Sequence, residues 1–264
     1  MSLVTGAVSS NSVVITGDKM LVQTVNPSYK DGKVTPEYIK VVSREKSKVF
    51  QITDKVVFGF VGGELLGAPI VEGLQELAAE DDIETAVHVL RVIVDELKRV
   101  ARESSGDEPY FNELRPVIDE VAPRFQGVLL GFDHDGNTKG YTYYSGTDED
   151  IYEGIAVGNL SHVFCNGLGT HDMYDEIAFD FGEKEASTLD VTQRMHQIHS
   201  LLSYANPLDI TDDYERIVLV RKADGEIESI HTGSINCAEQ HVALAAQGDD
   251  LSEFTEPRIC PHYE

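Results

Sequence analysis

A serine follows the initiator methionine directly, and a serine at a free N-terminus carries both a hydroxyl and an α-amine. Methionine is normally removed when a small residue follows it, so we expect Ser2 to become the first residue of the mature chain. The terminal amine has an ordinary pKa of roughly 7.7–8.0 and can act as a general base near neutral pH. Because a serine nucleophile needs an adjacent base, the position of Ser2 predicts nucleophilic catalysis with both groups on one residue.

Three further motifs follow Ser2 within the first sixty or so residues. Asp18 stands sixteen residues later, at the end of a predicted hairpin, and Lys48 opens the strand sequence KVFQI. The sequence GFVGG at residues 59–63 then leads into a predicted helix. In this order the motifs resemble the β-type subunits of proteasomes and their simpler bacterial ATP-dependent relatives, which are N-terminal nucleophile hydrolases. The resemblance covers residues 2–231 in element order.

The resemblance implies a role for each of these residues. Ser2 would be the nucleophile, with its own amine as the base. Lys48, anchored by Asp18, would lower the pKa of the serine hydroxyl and stabilise developing negative charge. The backbone N–H of Gly59 would form the oxyanion hole, and the missing side chain would let the substrate approach closely.

Two more residues are implied as supports of the terminal amine. The sequence AVGN ends at Asn159 and resembles the family's G-S-G turn, with an amide that can still hydrogen-bond in place of the usual serine. A supporting aspartate usually precedes the late strand, which reads ERIVLVRKADGEI here. Asp209 is the candidate, and Asp212 and Asp213 are alternatives. The resemblance implies no cofactor and no metal.

Hydrophobic periodicity and turn residues predict the elements that must position these groups. Expected strands cover residues 3–8, 12–16, 48–52, 56–61, 127–132, 140–144, 154–157, 216–221 and 227–231. Four helices are expected. The first begins at residues 62–63, and the others cover residues 83–100, 161–178 and 190–203. Residues 26–37 read as a loop, in the region where members of the resembled family shape the substrate pocket, and 104–123 read as an acidic linker.

The order of elements is strands, two helices, strands, two helices, strands. If these elements pack in layers, their order predicts an α+β fold, a four-layer αββα sandwich of two antiparallel sheets flanked by helix pairs. The resemblance implies the same architecture, which is the N-terminal nucleophile hydrolase fold. We expect one such domain at residues 1–233 and an acidic, irregular C-terminal tail at 234–264.

Composition limits the class of protein. The chain has 264 residues, of which 41% are hydrophobic, enough for one large core. It has no apolar run long enough to span a membrane and no signal-peptide pattern, and its three scattered cysteines predict no disulfide framework. A cytoplasmic location is therefore expected.

The charge balance argues against two kinds of partner. The formal net charge is −25, from 46 acidic and 21 basic residues. Nucleic acids and anionic membranes would be repelled by such a surface. A solvated, self-repelling surface that favours solubility is the simplest interpretation, and a basic partner is the alternative.

Two other groups of residues have metal-binding or acid–base side chains. The end of the chain holds four residues of types that bind zinc, Cys237, His241, Cys260 and His262. Their spacing matches no standard zinc motif, so loose surface residues are the favoured interpretation. His196 and His199 share one face of a predicted helix, where such a pair is more often at the core rim or in solvent than in a site.

The resemblance implies a peptidase that cleaves peptide or protein substrates through an acyl-enzyme on Ser2. Some proteasome-like relatives pass the acyl group to an amine instead, so a protein ligase is an alternative. Family members assemble into rings, which implies a homo-oligomer and an ATPase regulator as partners. A catalytically inactive scaffold or assembly subunit, with Met1 retained, is the runner-up, and a small-molecule amidase is a third interpretation.

Overall fold

The computed structural model describes residues 3–25, 28–30, 33–35, 38–62, 64–103, 125–144, 151–154, 162–166, 187–205 and 210–238. Among these residues, none of the helices combines the length and the apolar character that a membrane span requires. Several sequence-based predictions fall outside these ranges: Ser2, Asn159, Asp209, the linker at 104–123 and the tail beyond residue 238.

The described ranges contain fourteen strands and three helices. The strands are β1 Val4–Val8, β2 Ser12–Asp18, β3 Leu21–Val25, β4 Ser28–Lys30, β5 Lys33–Thr35, β6 Tyr38–Ser43, β7 Val49–Gln51, β8 Val56–Gly62, β9 Phe125–Phe132, β10 Thr138–Tyr144, β11 Ile151–Gly154, β12 His162–Asn166, β13 Asp213–Arg221 and β14 Ile227–Asn236. The helices are α1 Glu64–Leu74, α2 Ile83–Glu103 and α3 Thr188–Ala205.

Ten of these strands form two five-stranded antiparallel sheets. The first sheet has the order β12-β1-β2-β13-β14, and the second has the order β11-β10-β9-β8-β7. The strands β3 and β6 form a separate antiparallel pair, as do β4 and β5. Both pairs belong to the segment between β2 and β7, so they lie in sequence between Asp18 and Lys48.

The two large sheets share one apolar core. Its residues come from β1, β2 and β13 of the first sheet and from β7, β8 and β9 of the second; they are Val4, Val8, Val13, Ile15, Val49, Val57, Val61, Val128, Leu130, Phe132, Ile217 and Leu219. Strands covered on both faces need apolar residues at successive positions, which explains the unbroken run VVFGFV in β8.

Helices cover the outer face of each sheet. On the second sheet, α1 and α2 pack against side chains such as Phe58 and Leu129. On the first sheet, Met195 and Ile198 of α3 pack against side chains that include Val14. Successive strand residues face opposite ways, so Val14 points to α3 while its neighbours point to the core between the sheets.

Local sequence fixes where the helices begin. Before α2, the carboxylate of Asp82 accepts the Thr85 N–H at 3.0 Å, which is N-cap geometry. Before α3, the Ser187 hydroxyl accepts the Asp190 N–H at 3.2 Å, and the Asp190 carboxylate accepts the Ser187 N–H at 3.1 Å. This reciprocal pair satisfies two backbone donors that the first turn of a helix leaves open.

Most predicted elements are confirmed within the described ranges, with four corrections. The strand expected at 154–157 overlaps β11 (Ile151–Gly154) only at Gly154, and residues 155–157 lie outside the described ranges. The expected helix at 161–178 is wrong at residues 162–166, which form β12 because the β-favouring sequence HVFCN pairs with β1. The expected loop at 26–37 contains the paired strands β4 and β5. The last strand continues to Asn236, beyond the expected end of the domain at residue 233. The second half of the predicted helix, 167–178, lies outside the described residues.

Gly59 lies where the two sheets approach closely. A Cβ atom at this position would lie 2.7 Å from Val4 Cγ1 and 2.9 Å from Ile15 Cδ1, both in the first sheet. These distances are too short for carbon atoms, so any side chain at residue 59 would push the sheets apart.

Gly59→Ala is therefore expected to lower the free energy of unfolding by about 1–3 kcal/mol, the usual cost of overpacking a core. Gly233→Ala in β14 is the matched control, because its Cβ would have nothing within 4 Å. We expect that control to change stability by less than about 0.5 kcal/mol. Urea unfolding measures both, and equal effects of the two substitutions would contradict the packing described here.

Candidate active site

A buried pair of opposite charges joins the two sheets. Asp18 is the last residue of β2 in the first sheet, and Lys48 directly precedes β7 in the second. The Lys48 Nζ lies 2.6 Å from Asp18 Oδ1. Asp18 is fully buried and Lys48 is 6% exposed. Charges removed from water to this degree are tolerated only when they are paired and hydrogen-bonded.

Further hydrogen bonds surround the pair. Asp18 Oδ1 also accepts the Leu3 N–H at 2.7 Å, and Oδ2 accepts the Met20 N–H at 3.0 Å. Lys48 Nζ donates a second bond to the Met20 carbonyl at 2.6 Å. Among the described residues, the carboxylate therefore has at least three donors, and the ammonium has at least two acceptors. The backbone at the start of β1 is tied into this network by the Leu3 amide.

Burial shifts the acid–base properties of both groups. Desolvation raises the pKa of the Asp18 carboxyl above its ordinary value, while the Lys48 ammonium and the two backbone donors oppose that shift. Desolvation also lowers the pKa of Lys48, and the attraction to Asp18 opposes it. The charged and neutral forms of the pair thus come closer in free energy than they are in water. Lys48 loses its proton at a lower pH than a solvent-exposed lysine.

Gly59 lies next to the backbone of Lys48. It pairs with Val49 of β7, and the N–H of the following residue, Phe60, donates to the Lys48 carbonyl at 3.1 Å. The glycine itself is required by the contact between the sheets described above, which is a sufficient structural reason for its presence. Its role as an oxyanion donor stays a prediction.

The structure thus brings together three of the six predicted site residues, Asp18, Lys48 and Gly59. The other three, Ser2, Asn159 and Asp209, lie outside the described residues.

The two alternatives to Asp209 lie at the start of β13. Asp213 is the first residue of that strand, and the next residue, Tyr214, pairs with Asp18 in β2. The Asp213 carboxylate accepts a bond from Asn236 at 2.9 Å in an exposed position. Asp212 accepts the Cys237 N–H through its carbonyl at 3.1 Å.

The sequence did not predict a polar cluster beside this site, which consists of Ser47, Glu215 and His231. Glu215 of β13 lies opposite Gly17 and is buried. Its carboxylate accepts a hydrogen bond from the Ser47 hydroxyl and contacts His231 of β14, each at 2.5 Å. The available signal was an acidic residue next to the apolar run of a strand covered on both faces.

Of the paired histidines of α3, His196 is half-buried at the core rim, as expected, whereas His199 is fully buried. His196 Nδ1 lies 2.9 Å from the Tyr214 hydroxyl, and His199 Nε2 lies 3.1 Å from the Thr211 carbonyl. Cys237 is buried 3.9 Å from His196, and burial raises the pKa of its thiol to about 11. Such a thiol stays protonated at neutral pH. The other three residues of the zinc alternative lie outside the described ranges.

One group in the described part of the chain has the spacing of metal ligands. It consists of Asp133, His134 and Asp135 in the turn between β9 and β10. Asp133 Oδ1 already accepts the N–H groups of Asp135 and Asn137, at 3.0 and 2.8 Å. Capping of the turn accounts for this carboxylate without a metal ion.

Comparison with known proteins identifies no relative. No model of a known protein family matches the chain, and no curated protein sequence matches it significantly. The likeness to proteasome β-type subunits therefore remains a resemblance of sequence motifs.

Removing one member of the buried pair should leave the other as an uncompensated charge in the core. We expect Lys48→Met and Asp18→Asn each to lower the free energy of unfolding by about 3–5 kcal/mol. Lys222→Met is the matched control, because Lys222 forms an exposed ion pair with Glu226 at 3.3 Å and is 41% exposed. That control should cost less than about 1 kcal/mol.

The Asp18→Asn/Lys48→Met double variant removes both charges, so its loss of stability should be well below the sum of the two single losses. Denaturant unfolding of the four proteins gives the coupling energy directly. Additive losses would show that the two side chains do not interact in the folded protein.

Proposed function

We propose that the chain is a cytoplasmic N-terminal nucleophile hydrolase of the proteasome β type, which cleaves amide bonds of peptide or protein substrates through an acyl-enzyme on Ser2. The observation that carries the proposal is the hydrogen bond from the Leu3 N–H to Asp18 Oδ1, the same oxygen that holds Lys48. It connects the start of the chain to a buried cation.

Ser2 is joined to Leu3 by one peptide bond, and the nitrogen of that bond is the Leu3 N–H that Asp18 accepts. We therefore propose that the Ser2 hydroxyl and, once Met1 is removed, the Ser2 amine lie within reach of Lys48. A serine nucleophile needs an activating group of this kind beside it.

The reaction would proceed in two halves. The Ser2 amine takes the hydroxyl proton while the oxygen attacks the amide carbonyl, and the Lys48 ammonium stabilises the developing negative charge. The carbon–nitrogen bond then breaks, and the leaving amine departs with the proton. Water attacks the resulting ester in the second half and releases the acid. Attack by a second amine in place of water would make the same site a ligase.

The arrangement of sheets and helices supports the proposal. The two sheets packed face to face, with α1 and α2 outside one and α3 outside the other, agree with the four-layer αββα sandwich of N-terminal nucleophile hydrolases. In this chain β1 begins beside the point where Asp18 and Lys48 meet. By the same resemblance we propose assembly into a homo-oligomeric ring with an ATPase regulator.

Intact-mass measurement of the purified protein, with and without a β-lactone probe for N-terminal nucleophiles, tests the proposal. We expect loss of the Met1 mass and one probe adduct on the wild-type chain. Ser2→Ala should lose Met1 equally, because alanine is also small, and should form no adduct. Retained Met1 without an adduct would contradict the enzyme and favour the inactive scaffold.

The rate of probe acylation should depend on pH in a bell shape. It should rise as the Ser2 amine loses its proton and becomes able to act as the base. It should fall as Lys48 loses its proton, below the value of about 10.4 of an exposed lysine, because burial lowers the pKa of Lys48.

Lys48→Arg is the control for the alkaline limb, since a guanidinium stays protonated throughout this range. In that variant any remaining acylation should show no alkaline fall. An unchanged fall in Lys48→Arg would show that another group is responsible.

A further inference from the structure

Glu215 occupies an unusual position in the first sheet. It lies opposite Gly17 in β2, the residue before Asp18. Its Oε2 accepts the hydroxyl hydrogen bond of Ser47, the residue before Lys48, at 2.5 Å. Glu215 thus pairs through its backbone with the neighbour of Asp18 and binds through its carboxylate the neighbour of Lys48.

Strand alternation directs this side chain. Ile217 and Leu219 of β13 face the core between the sheets, and Glu215 lies on the same side of the strand. The register of β13 and β14 shifts between Tyr214 and Arg216, where residues 233 and 234 of β14 lie opposite Glu215. On the solvent side, Glu215 Oε1 lies 2.5 Å from Nε2 of the half-exposed His231.

The glycine opposite Glu215 brings Lys48 close. A Cβ at Gly17 would lie 3.3 Å from the Lys48 Cβ and 3.0 Å from Val49 Cγ1, so no side chain separates β2 from the start of β7. The Ser47 oxygen also lies 2.9 Å from the Val49 carbonyl oxygen, but a hydroxyl has one proton to donate, and its shorter contact is the one to Glu215. Through Ser47, Glu215 holds the segment that carries Lys48 against the first sheet.

We propose that Glu215 is a positioning residue: by binding the Ser47 hydroxyl it fixes the backbone from which Lys48 reaches Asp18. The effect on Lys48 is independent of any reaction. Its consequence for catalysis rests on the proposed function, because there the same ammonium must lie at the Ser2 hydroxyl.

The first test measures the access of reagent to Lys48 and needs no activity. An amine-reactive acylating reagent is added to the folded protein, and peptide mass spectrometry compares labelling of Lys48 with that of the exposed Lys222 in the same sample. Glu215→Ala should increase relative labelling of Lys48 on the order of tenfold, through local opening. Ser47→Ala should do the same, and the double variant should add little to either.

Two controls separate positioning from general loosening. Glu215→Gln keeps an oxygen that can accept the Ser47 bond, so its Lys48 labelling should stay at the wild-type level. Ser229→Ala removes a 2.6 Å bond to Gln51 that joins β14 to β7 without touching Ser47. It should also leave Lys48 protected. Unchanged labelling in Glu215→Ala or in Ser47→Ala overturns the proposal, and so does increased labelling in Ser229→Ala.

The second test is the pH dependence of β-lactone acylation. In Glu215→Ala the alkaline fall should move upward by about one pH unit, because a better-solvated Lys48 regains a more ordinary pKa. In Glu215→Gln the acylation rate should fall at the same alkaline pH as in the wild type. If the rate of Glu215→Ala also falls at that pH, the proposed consequence for catalysis is contradicted. A wild-type protein that forms no adduct rejects the proposed function alone, since the labelling experiment still decides the role of Glu215.

Discussion

The buried contact between Asp18 and Lys48 is the interaction on which the rest of this structure depends. It places one charge from each sheet in a region that water does not reach. Desolvation makes such a pair costly, so it persists only where hydrogen bonds satisfy the remaining donors and acceptors. The Leu3 amide and both backbone groups of Met20 supply them. The start of β1, the end of β2 and the approach to β7 therefore converge on one point.

Close packing of the sheets is the second constraint. Glycine at residues 17 and 59 removes the side chains that would otherwise separate the two layers next to the pair. The same packing lets Glu215 reach Ser47 across the junction. The network lies between layers that are otherwise apolar, where apolar side chains of similar volume often stabilise a protein as well as a buried ion pair does. The proposed chemical role of Lys48 would account for the network.

Much of the secondary structure was predictable from the sequence, because the local signals of several elements were strong. The hairpin of β1 and β2, the unbroken apolar run of β8 and the helical period of α2 each determine their element. The contact of Asp18 with Lys48 followed from resemblance, since thirty residues separate them. The helix prediction is wrong at residues 162–166 because these residues form a strand by pairing with β1, which is distant in sequence. Glu215 was missed because its partners, Ser47 and His231, meet only in the folded sheets.

The most direct test of the account is an experimental structure of the methionine-trimmed protein after reaction with the β-lactone. We expect Ser2 as the first residue, an ester on its hydroxyl oxygen, and Lys48 Nζ within hydrogen-bonding distance of that oxygen, about 2.7–3.2 Å. The Asp18 carboxylate should still hold both Lys48 and the Leu3 amide. A Ser2 oxygen that is unmodified and directed away from Lys48 would contradict the account.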